Sequence, residues 1–216
     1  MKPDEHSPPE TPSAPDVARR VFSETLQIAE AYAARLATDG TERGLIGPRE
    51  VPRLWERHLV NCALVTDLVD PSTSVCDVGS GAGLPGIVMA IRRPDLAVTL
   101  VEPLLRRTTF LEEVVADLGL ENVEVVRGRA DALHGQRTFD VVTSRAVAPM
   151  DRLSRWSLPL VRSGGAFLAM KGSSVRAEVD SAATIISAGG GVVDGIIELG
   201  ADILDPPVRV VRVMKE

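Results

Sequence analysis

The residue types with the most chemistry in their spacing are Asp77, Gly79, Gly81 and Gly83, within Val75-Cys76-Asp77-Val78-Gly79-Ser80-Gly81-Ala82-Gly83-Leu84-Pro85-Gly86. An apolar strand runs into a carboxylate, glycines alternate, and a helix begins. Glycines let the backbone turn tightly and approach a ligand closely. The first turn of the following helix offers unpaired N–H groups, and Pro85 suits that turn because it has no N–H to leave unpaired. The expected chemistry is capture of a small ligand on backbone atoms at a strand-to-helix turn.

Two ligand frames compete. Gly81-x-Gly83-x-x-Gly86 matches the dinucleotide pattern literally, a weak signal alone. Asp77-x-Gly79-x-Gly81-x-Gly83 is the pattern of S-adenosyl-L-methionine-dependent methyltransferases. That cofactor carries an ammonium and a sulfonium where a dinucleotide carries a pyrophosphate. A carboxylate beside the loop attracts the first and repels the second, so the second frame is preferred. No Gly-Lys-Ser/Thr follows the glycines, which excludes a P-loop. Glu102 ends the next strand about 20 residues on, where a carboxylate accepts from both ribose hydroxyls of an adenosine. That fits either cofactor. In Arg127-Gly128-Arg129-Ala130-Asp131, Asp131 can accept from an adenine amino group and the Ala130 backbone can touch the ring. Asp131 can equally cap a short helix.

Arg145, Lys171 and Arg129 stand at three strand ends, the rim where open α/β sheets bind ligands. Arg145 can hold a cofactor carboxylate or a substrate phosphate. Each could be a solvated loop cation, but three together make a candidate set for substrate engagement and transfer. Methyltransferases acting on exocyclic amines often carry Asn/Asp-Pro-Pro-aromatic after the fourth strand. This chain has Ser144-Arg145-Ala146-Val147-Ala148-Pro149 instead. An amine must lose a proton, whereas guanine N7 has a free in-plane lone pair and needs positioning rather than a general base. His58 lies on an apolar helix face, as a core histidine or as part of a helix closing over the cleft. His6 and His134 fall in the tail and a loop, and Cys62 and Cys76 form no C-x-x-C pair, so no metal site is expected. Both cysteines read as small buried hydrophobes.

These residues need a scaffold. Residues 1–15 hold five prolines and read as a disordered tail. A helical extension, 16–70, follows. Val21, Ile28, Tyr32 and Leu36 form one stripe, Gly40 to Pro48 connects, and a second helix runs from Glu50, with Pro52 in its first turn, to Val69. The sheet core, 73–216, alternates apolar strands (Ser74–Val78, Ala97–Val101, Val123–Val126, Phe139–Thr143, Ala166–Met170) with helices at Pro85–Arg92, Leu104–Leu118, Met150–Val161 and Ser174–Ala188. Strands apolar throughout indicate a parallel sheet covered on both faces. Val192–Leu199 and Val208–Met214 form a terminal antiparallel pair.

The chain has 216 residues and a net charge of −6, of which residues 1–16 carry −3. This balance argues weakly against a protein coated in nucleic acid. Arginines number 21 and lysines 3. That bias suits bidentate phosphate contacts, but codon bias explains it as well. Aromatics are few, and only Trp55 and Trp156 look available as stacking platforms. The longest stretch without a charged residue, Val78 to Ile91, is too short to span a bilayer, and the N-terminus has no secretory pattern. A cytoplasmic, monomeric protein without membrane contact is expected.

Taken together, the motifs resemble the glucose-inhibited division protein B family, bacterial 16S ribosomal RNA guanine-N7 methyltransferases. The resemblance rests on Trp55-Glu56-Arg57-His58-Leu59-Val60-Asn61 and on Asp77 through Ile87 with its Leu84-Pro85-Gly86 extension. It continues with Arg107 to Leu111, Ser144-Arg145-Ala146 and Met170-Lys171-Gly172. It spans about residues 16 to 216. It implies an α/β, Rossmann-like class I methyltransferase with a mostly parallel seven-stranded sheet and an N-terminal helical extension. It implies cofactor contacts at Gly79, Leu84, Ala130, Asp131 and Arg145, added to Asp77, Gly81 and Glu102 above. It implies substrate roles for Arg129, Arg145 and Lys171. The partner it implies is 16S ribosomal RNA or the small ribosomal subunit. The reaction would be direct in-line transfer to an unstacked base. Unstacking costs a few kcal/mol, so a preformed loop in a ribosomal particle is the expected substrate. A protein or small-molecule methyltransferase, a nicotinamide oxidoreductase and a non-catalytic cofactor-binding module are the alternatives.

Overall fold

The computed structural model describes residues 11–145 and 148–216. Seven strands form one sheet: β1 (Ser74–Val78), β2 (Ala97–Glu102), β3 (Val123–Arg127), β4 (Phe139–Arg145), β5 (Val161–Lys171), β6 (Gly191–Leu199) and β7 (Val208–Lys215). Their order is β3-β2-β1-β4-β5-β7-β6. The first five are parallel, and β7 runs antiparallel between β5 and β6. Strand order reverses between β1 and β4, which opens a crevice at their carboxyl ends. The glycine run leaves β1 there, and Arg145 ends β4.

Side chains alternate across the sheet and seed two cores. Val75, Leu100, Val141 and Leu168 face α4 (Gly86–Arg92), α5 (Leu105–Leu118) and the N-terminal extension. Cys76, Val101, Val142 and Phe167 face α6 (Met150–Ser157) and α7 (Val175–Ala188). The expected helix through Val161 stops earlier, because Pro159 follows in a short 3₁₀ turn at Leu158–Leu160 and β5 already begins at Val161. A proline cannot supply the N–H that continued helix would need.

The extension differs from two plain helices. Its first part breaks at Ser23, which has φ 45°, into α1 (Asp16–Phe22) and α2 (Leu26–Arg35). Its second part changes pitch three times. A 3₁₀ segment spans Pro48–Arg53, a wide π-type segment spans Leu54–Val60, α3 spans Asn61–Leu64, and a 3₁₀ turn closes Val65–Leu68. Pro52 inside this rod donates no hydrogen bond, so a uniform α ladder is interrupted there.

Of the expected tail, residues 1–10 lie outside the described residues. Residues 11–15 are docked rather than loose: Ala14 is buried, and Trp55 Nε1 donates to the Pro12 carbonyl at 2.8 Å. Trp55 also meets Phe22 edge-to-face, with ring centroids 6.2 Å apart. It is core, and of the two candidate stacking platforms only Trp156 keeps exposed surface.

Candidate functional site

Three contiguous hollows cross the carboxyl ends of the strands. The first, about 140 Å³, is lined by Val78, Val101, Pro103, Ala130, Asp131 and Trp156. The second, about 530 Å³, shares Gly79 and Pro103 with it and continues past Gly81, Leu84 and Glu102 to His58 and Arg145. The third, about 970 Å³, begins at Arg145 and extends past Lys171 to Arg53, Arg57 and Arg209. Arg145 is the wall common to the second and third.

The glycine loop is held from below and from above. Gly79 and Ser80 donate backbone N–H bonds to the Val101 carbonyl, and Gly79 and Gly81 have φ of 74° and 59°, a region that favours glycine. Gly83 has no room for a side chain: a Cβ would lie 2.4 Å from Ile87 Cγ1 and 2.8 Å from the Tyr32 hydroxyl. That hydroxyl, on α2, donates to the Ala82 carbonyl at 2.7 Å. Tyr32 is completely buried, and burial drives its pKa well above the ordinary tyrosine value. The extension therefore fixes the loop directly. The helical stripe made Tyr32 a core residue and gave no sign of this contact.

Asp77 does not line any of the three hollows. It is fully buried, and its Oδ2 accepts from Gly86 N–H at 3.0 Å while Oδ1 has no partner. Burial pushes its pKa up to about 7, partly offset by the Gly86 N–H. The carboxylate thus organises the loop from behind through Gly86, where direct contact with the ligand hollow was expected.

Glu102 sits in the second hollow. Its Oε1 accepts from Leu104 N–H at 3.0 Å, and Oε2 accepts from Gly81 N–H at 3.1 Å and from Arg107 at 3.3 Å. A carboxylate offers about four lone-pair sites, so one remains for a ribose hydroxyl beside the three bonds already accepted. Ala130 and Asp131 flank the first hollow, whose wall at Gly128 is open: a Cβ there meets nothing within 4 Å. An apolar slot with one carboxylate at its edge fits an adenine with its amino group, and Glu102 next to it fits a ribose. The residues present therefore fit S-adenosyl-L-methionine.

Arg145 is held by two contacts from the extension. Its Nη2 donates to His58 Nδ1 at 2.6 Å, and its Nη1 donates to Cys62 Sγ at 3.2 Å. His58 Nε2 is 2.8 Å from Glu50 Oε2. Burial and then the neighbouring Arg145 charge lower the His58 pKa to about 4. The ring is thus neutral at pH 7. With Nδ1 accepting from Arg145, the proton is assigned to Nε2, pointed at Glu50. Sequence offered a core histidine or a cleft-closing helix, and the structure combines both. Cys62 is buried as expected, and its sulfur is also a seat for the guanidinium.

The three strand-end cations do not converge. Lys171 is nearly buried (side chain 6% exposed) and is committed to the Ala148 carbonyl at 2.6 Å and Glu178 at 2.8 Å. Arg129 is exposed and pairs with Asp131 at 3.2 Å beside the first hollow. Sheet order separates them, since β3 and β5 lie two strands and one strand away from β1 and β4 respectively. The connector between the two halves of the extension adds Leu45 and Ile46 to the second hollow, which no motif signalled. Among the described residues, no group of His, Cys, Asp and Glu could hold a metal ion, and no helix is long and apolar enough to cross a membrane.

A family model described as "GidB: rRNA small subunit methyltransferase G" matches residues 25–202. A ribosomal RNA small subunit methyltransferase G of Nocardioides sp. is 62% identical over 206 residues, covering 95% of this chain and 82% of the relative. One of Streptomyces avermitilis is 54% identical, covering 94% and 86%. Among solved structures, fibrillarin of Aeropyrum pernix in complex with S-adenosyl-L-methionine superposes with TM-score 0.52 at 18% identity, covering 73% of this chain and 75% of that one. An O-methyltransferase family protein of Burkholderia thailandensis gives 0.58 at 15% identity, covering 91% and 64%. The sequence matches bear on family and the structural ones on fold.

Proposed function

Since the chain belongs to the rRNA small subunit methyltransferase G family, we propose that it methylates N7 of one guanine in 16S ribosomal RNA, within the small subunit, from S-adenosyl-L-methionine. The observation that carries this reading is the continuity of the three hollows, with Arg145 between the adenosine-shaped pair and the large basic cleft. S-adenosyl-L-methionine would supply an electrophilic methyl group. Ala130, Asp131 and Gly79 would hold its adenine end, Glu102 its ribose, and Leu84, Gly81 and Arg145 its amino-acid end.

The chain's own groups suit a nucleophile that carries no proton. His58 is neutral but has both ring nitrogens engaged, and Lys171 is ion-paired. Neither is placed to act as a general base, and N7 of guanine needs none. Catalysis then comes from orientation and exclusion of water. Reactants held in the right geometry can gain several kcal/mol. Arg145, fixed at two points, would orient the base or an adjacent phosphate against the cofactor hollow.

The test is transfer of labelled methyl groups to small subunits lacking the modification, beside protein-free 16S RNA. Chemical cleavage at N7-methylguanine locates the product. One labelled guanine, lost in Arg145→Ala, supports the reading. Absence of label on both substrates, with the cofactor bound, removes the RNA assignment.

A further inference from the structure

We infer that the 970 Å³ cleft beyond Arg145 is where the RNA strand carrying the target base docks, with Arg53, Arg57 and Arg209 gripping its phosphates. The inference rests on the methyltransferase reading above and adds to it a binding track.

The cleft lies between two parts of the chain that sequence keeps far apart. Arg53, Arg57 and Asn61 come from the 3₁₀, π-type and α3 segments of the extension. Arg209 comes from β7, next to the 203–208 segment whose Ile203 and Pro206 complete the far wall. Five cations, counting Arg145 and Lys171, face Glu56, Glu178 and Asp205. Glu178 is already neutralised by Lys171, so the cleft is net positive although the chain is net −6. Lys171 is spent on that pair and on the Ala148 carbonyl, which leaves the three arginines as the groups able to change partner.

Their present contacts are replaceable. Arg53 has no ion-pair partner among the described residues. Arg57 lies 3.4 Å from Glu50, and Arg209 lies 2.8 Å from Glu198, both in partly exposed pairs. Pairs of this kind contribute little, whereas a guanidinium matches a phosphate bidentately. Apolar Ile203 and Pro206, which line the same cleft, offer a surface for sugars and base faces. An acidic peptide would also meet the cations. The cleft, however, opens at Arg145 onto the hollow where a methyl group would be presented, so its occupant must deliver the acceptor there.

Arg53→Ala, Arg57→Ala and Arg209→Ala are compared with wild type and with Arg20→Ala, an exposed arginine outside all three hollows. Initial rates of methyl transfer to unmodified small subunits are measured over a range of salt. S-adenosyl-L-methionine binding is measured by calorimetry, and binding to protein-free 16S RNA by filter retention. Each cleft variant is expected to raise KM for subunits about tenfold at unchanged kcat. Each should also weaken RNA binding, flatten its dependence on log salt by about 0.7–0.9 per lost phosphate contact, and leave cofactor affinity unchanged. Arg20→Ala should match wild type. Unaltered KM and salt slope in all three variants, with an active wild type, would overturn the cleft and spare the methyltransferase reading. Raised KM for subunits with unaltered RNA binding would assign the cleft to a ribosomal protein and overturn the inference too. A wild type that labels neither substrate would overturn the reading on which both rest.

Discussion

Arg145 Nη2 lies 2.6 Å from His58 Nδ1, a contact that joins the end of β4 to the extension across 87 residues. Glu50 completes the chain on the far side of the ring at 2.8 Å. The carboxylate fixes the tautomer, the neutral ring accepts from the guanidinium, and the guanidinium has one position. His58 is a positioning residue that acts through Arg145.

His58→Ala is accordingly expected to lower kcat about a hundredfold, the cost of roughly 1 Å of misplacement. KM for subunits and the folded structure should change little. Glu50→Gln keeps a side chain that can accept the Nε2 proton and should lose much less. Single-turnover kinetics separates the two. Wild-type kcat in His58→Ala would refute the positioning role.

Two buried groups set opposing pH dependences of stability. His58 is held neutral to about pH 4 against an ordinary 6.5. Between those values the unfolded chain takes up a proton that the folded one does not, so stability falls as pH drops through this window. Asp77 is raised to about 7 from an ordinary 3.8. The folded chain keeps its proton there while the unfolded one loses it. That contribution is full below 3.8 and is lost as pH rises toward 7. Asp77→Asn removes the second effect. Its stability relative to wild type should rise from pH 4 to 7, by an amount on the order of 3 kcal/mol. Urea denaturation across that range measures it, and a constant difference would contradict the assignment.

Tyr32→Phe strands the Ala82 carbonyl. An acceptor left unpaired in a buried site costs about 1–3 kcal/mol, which for a chain of this size lowers Tm by several degrees. Because the carbonyl belongs to the glycine loop, cofactor affinity should fall as well. Calorimetric melting and a cofactor titration check both, and unchanged values would show that the hydroxyl does not hold the loop.

Gly86 and Gly128 make a matched pair of tests. At Gly86 a Cβ would lie 2.3 Å from Leu100 Cδ2 and 2.8 Å from Asp77 Oδ2, while at Gly128 it meets nothing within 4 Å. Gly86→Ala should destabilise by about 1–3 kcal/mol through overpacking. Gly128→Ala should melt like wild type yet bind S-adenosyl-L-methionine at least tenfold more weakly, because its methyl group would occupy the adenine slot. A Gly128→Ala variant with full cofactor affinity would place the adenine elsewhere.

Sequence by itself determined the layered α/β fold, the seven strands and the glycine loop. Continuous apolar runs, alternating glycines and an acidic strand end are local signals that survive in one dimension. It also marked Glu102, Ala130, Asp131 and Arg145, because strand ends are where such sheets bind ligands. What it could not fix were contacts closed by packing. The Tyr32–Ala82 and His58–Arg145 hydrogen bonds span 50 and 87 residues, and no spacing rule links such positions. The pitch changes after Pro48 turn His58 and Cys62 toward β4, a rotation that helical periodicity averages away. The three strand-end cations looked equivalent in sequence. Tertiary structure sorted them, since sheet order put Arg129 by the first hollow and burial paired Lys171 with Glu178, leaving Arg145 alone in the wall between two clefts. Which charge is neutralised and which is available depends on neighbours in space, and only the folded chain supplies those.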